Sequence, residues 1–487
     1  MKTLIAPLVL FSGLITLNVQ AQEAPTHSTK ALQQQQCYLK DISEQLRCGT
    51  LTVPENYAEP EGRSIDIHFA VLPAISENKK PDPLVILAGG PGQAATELAA
   101  MINRIFQTVR QQRDILLIDQ RGTGKSAPLS CEVNHVEELV KADDDLDLAA
   151  MARDCLQQYD ERDLTQYHTV NAIRDFEAVR EALGYEQVNL YGGSYGSRAG
   201  LVYMREAPDS VRAAVLDAVA PVQVVVGPFG RHGAESFNKL LDNCAATEAC
   251  SSTFPELDDT YQQLMLTLET NPVPLTVRDP LTNAPVDILI TAGRFSSVMR
   301  VGLYHPTTRQ MLPYVIDRTA AGDYVPLTGL LGSTMAQSEL YMGLTLSVLC
   351  SEDLARASDD LLAADGDNAF IGSRTADAFI EMCSVWPKAE RPDSWFEPVH
   401  SAVPTLLLSG ELDPVTPPSW GEMAAQTLSQ SRHMMAPKGA HTIVGHTCAN
   451  HLAADFIKDL DLAALDAECL ENQRQKPFIL NSNGKGL

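Results

Sequence analysis

A chain of 487 residues that is 45% hydrophobic and 20% charged, with 30 Gly and 29 Pro, has the composition of a globular protein with a large buried core, which speaks against disorder and coiled coil. Acidic residues outnumber basic ones 62 to 37, a formal charge of -25 at pH 7. Phosphate backbones and anionic membranes repel such a chain, so nucleic acid is not expected as a partner.

The first residues, MKTLIAPLVLFSGLITLNVQAQ, set the basic Lys2 before an apolar run over 4–17 and small residues at Val19 and Ala21. This is the pattern of a signal peptide (1–21) cleaved after Ala21, and the run is shorter than the ~20 residues a membrane span needs. The expectation is a secreted or periplasmic protein with no stable membrane insertion after cleavage. The 10 cysteines all follow that segment, as disulfides in an oxidising compartment would. Pairing sequence neighbours joins Cys37 to Cys48, Cys131 to Cys155, Cys244 to Cys250, Cys350 to Cys383 and Cys448 to Cys469, one connectivity of many. No CxxC occurs, so zinc is the weaker reading and no metal is expected.

From residue 49 onward strand-like runs alternate with helical stretches. LTVPENY and IDIHFAVLPA come first, then PLVILAGGPG, DILLIDQRG, VNLYGGSYG, VRAAVLDAV, VPTLLLSGELD and RHMMAPKGAH. Several are nearly continuous apolar runs, as buried parallel strands should be, and the alternation predicts an α/β sheet flanked by helices. Over 225–395 it lapses into helix-like segments with few convincing strands, which predicts a helical cap inserted between two parts of the core, 22–224 and 396–487. The QQQQ at 33–36 reads only as a short biased run.

VNLYGGSYGSRAGLVYMREA reads as strand, glycine-rich turn and helix, with Gly192, Ser194 and Gly196 spelling G-x-S-x-G. A nucleophile elbow needs that context, because the sharp turn pushes the serine hydroxyl outward and tolerates only small neighbours. An activated serine needs a histidine base and a carboxylate to orient it, which in such a sheet follow in the order acid, then histidine. Asp413 in SGELDPVTPP and His441 in APKGAHTIVGH fit that order, with Glu411 and Asp217 as rival acids. His446 and His451 follow His441 at five-residue intervals, wrong for one helical face, and His433 lies within a strand. Two N–H groups should stabilise an oxyanion, that of Tyr195 after the serine and that of Gly90 in the GGPG turn. RGTGKS at 121–126 lacks the first glycine of a phosphate-binding loop, where Asp119 stands, and reads as a turn with Asp119 and Arg121 as a candidate pair.

Taken together, AGGPG, DQRGTGKS, GGSYGS, the late Asp413 and His441, and SVLCSED resemble the secreted proline iminopeptidase and tripeptidyl aminopeptidase-like serine peptidases of the α/β-hydrolase superfamily. The resemblance implies an α/β-hydrolase fold with a cap and a cofactor-free serine aminopeptidase acting on small peptides. Ser194 would be the nucleophile, His441 the base, Asp413 its orienter, and Gly90 and Tyr195 the oxyanion donors. Ala88 stands where relatives often carry histidine, and Tyr195 where they often carry tryptophan, departures that touch proline specificity more than hydrolysis. An aminopeptidase must also hold the substrate's ammonium group, and among Glu235, Glu352 and Asp353 the first choice is Glu352, beside Cys350. The rivals are an esterase or lipase with the same triad and a non-catalytic binding protein of the same fold.

Overall fold

The computed structural model describes residues 32–131, 138–278, 282–337, 340–368 and 370–485; the expected signal segment lies outside the described residues. A nine-stranded sheet comprises β1 (Gln33–Cys37), β2 (Leu46–Pro54), β3 (Ser64–Leu72), β4 (Leu84–Leu87), β5 (Ile115–Ile118), β6 (Val188–Gly193), β7 (Val211–Asp217), β10 (Thr405–Gly410) and β11 (Ser431–Ala436). Its order is β1-β2-β3-β5-β4-β6-β7-β10-β11. The pairs from β1 to β5 are antiparallel, and those from β5 through β4 to β11 are parallel. Because β4 lies between β5 and β6, the direction of winding reverses there, and the carboxyl ends of β4 and β6 border the crevice where such sheets take ligands.

The apolar runs form central strands because both their faces are covered. Leu84, Ile86, Leu117 and Leu406 enter one core with Ile102, Phe106 and Phe456, while Val85, Leu87, Leu116 and Leu407 enter the other with Phe176, Val179 and Val202. This is the two-residue period of a strand buried on both sides. The polar QQQQ run is itself the edge strand β1, paired to β2 through its backbone and through the Cys37–Cys48 bridge.

A mainly helical insertion separates β7 from β10 and has its own core, where the Phe237 and Phe370 rings stack at 4.5 Å beside Tyr261, Phe295 and Ile316. This region, read from sequence as mainly helical with few convincing strands, also holds a hairpin, β8 (Val273–Arg278) with β9 (Pro285–Ile290), whose side chains alternate in exposure along both strands. The chain therefore has the α/β-hydrolase fold with a cap inserted before the last strands of the sheet. The last described segment crosses to that cap: Phe478 joins its core and the Ile479 N–H donates to the Gln310 carbonyl. All five cysteine pairs are joined as neighbours in sequence. Asp119 and Arg121 do not pair; each is buried and takes another partner, Asp119 meeting His68 and Thr96, and Arg121 meeting Asp175 at 2.7 Å.

Candidate active site

Ser194 sits between β6 and the helix Tyr195–Glu206 with φ 58° and ψ -126°, the left-handed geometry of a sharp strand-to-helix turn. The glycines around it are required by contact. A Cβ on Gly192 would collide with the Gly196 carbonyl, and one on Gly196 with the Leu87 carbonyl. The elbow is fixed by its backbone as well: the Ser194 N–H donates to the Asp217 carbonyl at 2.9 Å, and the Ser197 hydroxyl donates back to the Ser194 carbonyl at 2.6 Å.

The turn after β4 lies against this elbow, since a Cβ on Gly89 would stand 3.5 Å from that of Ser194. Gly90 has φ +106°, open to glycine and strained for other residues. The Gly89 N–H donates to the Gln93 side chain at 3.2 Å, whereas neither the Gly90 nor the Tyr195 N–H has an acceptor among the described residues. The cap grips the same turn: the Thr345 hydroxyl donates to the Pro91 carbonyl at 2.6 Å and the Tyr341 N–H to the Gly92 carbonyl at 2.9 Å.

Asp413 and His441 meet. The DPVT segment folds back on its aspartate, whose Oδ1 accepts the N–H groups of Val415 at 2.8 Å and Thr416 at 3.0 Å. Its Oδ2 accepts the Thr416 hydroxyl at 2.8 Å and lies 2.8 Å from His441 Nδ1. An ionised carboxylate only accepts, so the His441 proton is on Nδ1 and Nε2 is left as the basic nitrogen. Burial opposes the charge on both groups, but mutual attraction and hydrogen bonding prevail, holding Asp413 below the usual carboxylate range and His441 above the usual histidine value. The arrangement can hold an imidazole in one tautomer and stabilise it when it takes a proton.

Asp217, the rival acid, holds the backbone after His441 instead. Its Oδ1 accepts the Ile443 N–H at 2.9 Å, and its Oδ2 accepts the Val444 N–H at 3.0 Å. Burial raises its pKa to about 6 against those two bonds. Glu411 is half exposed and faces Lys239. His433 bonds Ser409 from β11, and His446 accepts the Ala440 N–H.

Glu352, at the end of the helix Met342–Glu352, is fully buried, its Oε1 accepting the Thr169 N–H at 2.8 Å and its Oε2 the Thr169 hydroxyl at 2.7 Å. Thr169 lies 2.7 Å from the Tyr195 hydroxyl, which ties Glu352 to the residue after Ser194. Burial raises Glu352 to about 7. The neighbouring Asp353 pairs with Arg198 at 2.6 Å, and its Oδ2 is buried with no partner.

Sequence reasoning missed two cap residues beside His441. The Tyr304 carbonyl accepts the His441 N–H at 3.1 Å and its ring packs edge-on against the imidazole at 4.9 Å, while Arg300 donates to the Tyr304 hydroxyl at 2.9 Å. No local pattern marks them, because their place depends on how the cap docks. Thr416 had a signal, since Asp-x-x-Thr is a self-bonding turn. Among the described residues no group of three or more His, Cys, Asp and Glu is arranged to hold a metal ion, and no helix is long and apolar enough to cross a membrane.

Comparison with known proteins gives two family models, one described as alpha/beta hydrolase fold over residues 82–273 and one as TAP-like protein over residues 368–469. The chain is 25% identical over 457 residues to serine protease Hip1 of Mycobacterium tuberculosis (strain ATCC 25618 / H37Rv), covering 84% of each chain. It is 23% identical over 482 residues to the tripeptidyl aminopeptidase of Streptomyces lividans, covering 90% of this chain and 86% of that one. It is also 26% identical over 243 residues to carboxylesterase B of M. tuberculosis (strain CDC 1551 / Oshkosh), covering 44% and 45%.

Proposed function

We propose, from the premise that this chain is an α/β-hydrolase-superfamily relative of peptidase and esterase families, that it is a serine exopeptidase that removes residues from the N-termini of small peptides. The observation that carries the reading is the 2.8 Å bond from His441 Nδ1 to Asp413, made between the loops that follow β10 and β11, parallel strands of the same sheet whose strand β6 leads into the Ser194 turn. In this reading Ser194 Oγ attacks the scissile carbonyl while His441 Nε2 takes its proton. The N–H groups of Gly90 and Tyr195 hold the oxyanion, and His441 then returns the proton to the departing amine. Water repeats the sequence on the acyl-enzyme. The five disulfides support a secreted or periplasmic setting.

Counting from the N-terminus calls for an anion that takes the α-ammonium group. Glu352 is retained for that task, with Asp353 beside it supplying a buried Oδ2 in need of a donor. A desolvated ammonium without such a partner would be costly. The similarity to the tripeptidyl aminopeptidase across 90% of this chain supports the exopeptidase reading, and the match to carboxylesterase B favours an esterase as the second.

The test is a panel of aminoacyl, dipeptidyl and tripeptidyl nitroanilides, each free and N-acetylated, with a short-chain ester alongside. Exopeptidase action predicts turnover of one length class and near-complete loss on acetylation. Equal cleavage of free and acetylated peptides would reject it, and turnover of the ester alone would put the esterase first.

A further inference from the structure

We infer that Arg300 binds a carboxylate carried by the leaving half of the substrate, which makes peptides with a free C-terminal or acidic group just beyond the scissile bond the favoured class. The inference rests on the acyl-transfer reading above. Arg300 lies near the end of the cap helix Ala292–Gly302 and is half-buried. Its guanidinium lies 5.6 Å from the centre of the Phe229 ring and 5.7 Å from that of Tyr304, so two aromatic faces flank the charge. Its one protein acceptor among the described residues is the neutral Tyr304 hydroxyl, at 2.9 Å, and no described Asp or Glu oxygen stands within 4.0 Å of its nitrogens.

Other arginines where the cap meets the core are used up differently. Arg198 is paired with Asp353, and Arg356 donates to the carbonyls of Val222, Gln223 and Val224. A guanidinium has five N–H donors in a fork that matches a carboxylate, so Arg300 keeps most of its capacity.

Direction follows from the chemistry of the base. His441 returns its proton to the departing group, so that group passes on the His441 side of the site and the acyl half stays with Ser194 and the GGPG turn. Arg300 reaches His441 through Tyr304, whose ring packs on the imidazole at 4.9 Å, and its positive charge opposes protonation of His441. The chain as a whole, at -25, repels anions, so a substrate carboxylate needs a local cation, and aromatic walls strengthen that attraction by excluding water.

The test compares two leaving groups that differ only in charge, 4-aminobenzoate and 4-aminobenzamide, on the same peptidyl anilide. A parallel ester pair carries 4-hydroxybenzoate and 4-hydroxybenzamide. In the unaltered enzyme kcat/KM should favour the carboxylate by about ten-fold, the size of a charge-assisted hydrogen-bonded contact, and added salt should shrink the ratio. Arg300→Gln should bring the ratio to about one and Arg300→Lys should keep part of it, while Tyr304→Phe should slow both members of a pair alike. Each ratio is read within one enzyme, so a general loss of activity or folding cancels. A ratio near one in the unaltered enzyme, or an unchanged ratio in Arg300→Gln, overturns the inference. If the esters turn over and the anilides do not, the exopeptidase reading fails while the ester ratio still decides the role of Arg300; silence on both pairs overturns both.

Discussion

Asp217 and Asp413 follow neighbouring parallel strands, β7 and β10, and both reach the segment that carries His441, yet they hold it by different handles. Asp217 is the last residue of its strand, so its carboxylate stays at the level of the sheet and meets backbone, the N–H groups of Ile443 and Val444. Asp413 stands three residues beyond Gly410, on a loop that folds over its own oxygens and turns Oδ2 to the imidazole. A difference of one short loop thus separates a carboxylate that orients a side chain from one that anchors a main chain. Asp217 does a second service, because its carbonyl accepts the Ser194 N–H and ties the Ser194 turn to the histidine loop.

The comparison can be broken by exchanging charge for amide at each site. Asp413→Asn should lower turnover by about 10⁴-fold with the fold retained, because an amide presents the wrong partner to Nδ1–H. The pH profile should change with it. In the proposed mechanism His441 must be neutral to act, and its pKa is held above the ordinary 6.5, so activity should fall as pH drops through a value above 6.5. Without the Asp413 charge, burial would dominate and the acid limb of kcat/KM should move to lower pH.

Asp217→Asn should cost less, up to about 100-fold, by loosening the placement of His441. Its mark should be a loss of stability of about 1–3 kcal/mol in urea unfolding, since an amide nitrogen would face a backbone donor. An acid limb that moves more for Asp217→Asn than for Asp413→Asn would reverse the two assignments.

Glu352 tests the same logic through stability. Its folded pKa, about 7, exceeds the ordinary 4.5, so between those values the unfolded chain has released a proton that the folded chain keeps, and stability falls as pH rises across that window. Glu352→Gln should abolish that slope, a relative gain of about 3 kcal/mol at pH 8 over pH 4, visible in thermal unfolding at the two values. An unchanged slope would mean that burial does not raise the Glu352 pKa in the unliganded fold. The smallest effect is expected of Thr416→Val, which removes one of four bonds to Asp413 and should reduce turnover by less than about ten-fold, measured as kcat on the best anilide.

These contrasts also explain what was legible in the sequence. Strands β4, β5 and β10 were visible because burial on both faces demands unbroken apolar runs. The turn at Ser194 was visible because close backbone contacts leave only glycine at 192 and 196, and the Asp413–His441 pair because chain order and strand ends restrict the choice. Strand β1 was not visible, since an exposed edge strand needs no apolar face, and β8 and β9 were hidden within a helical stretch. The work of Asp217 lay deeper still: its bond to Ile443 spans 226 positions and depends on backbone groups that no residue type announces.

The most direct test of the central claim is covalent labelling with a fluorophosphonate, followed by mass mapping of the modified peptide. The account predicts one adduct, on Ser194, formed quickly in the unaltered enzyme, slowed by Asp413→Asn and absent in Ser194→Ala. Labelling that persists in Ser194→Ala, or an adduct on another serine, would contradict it.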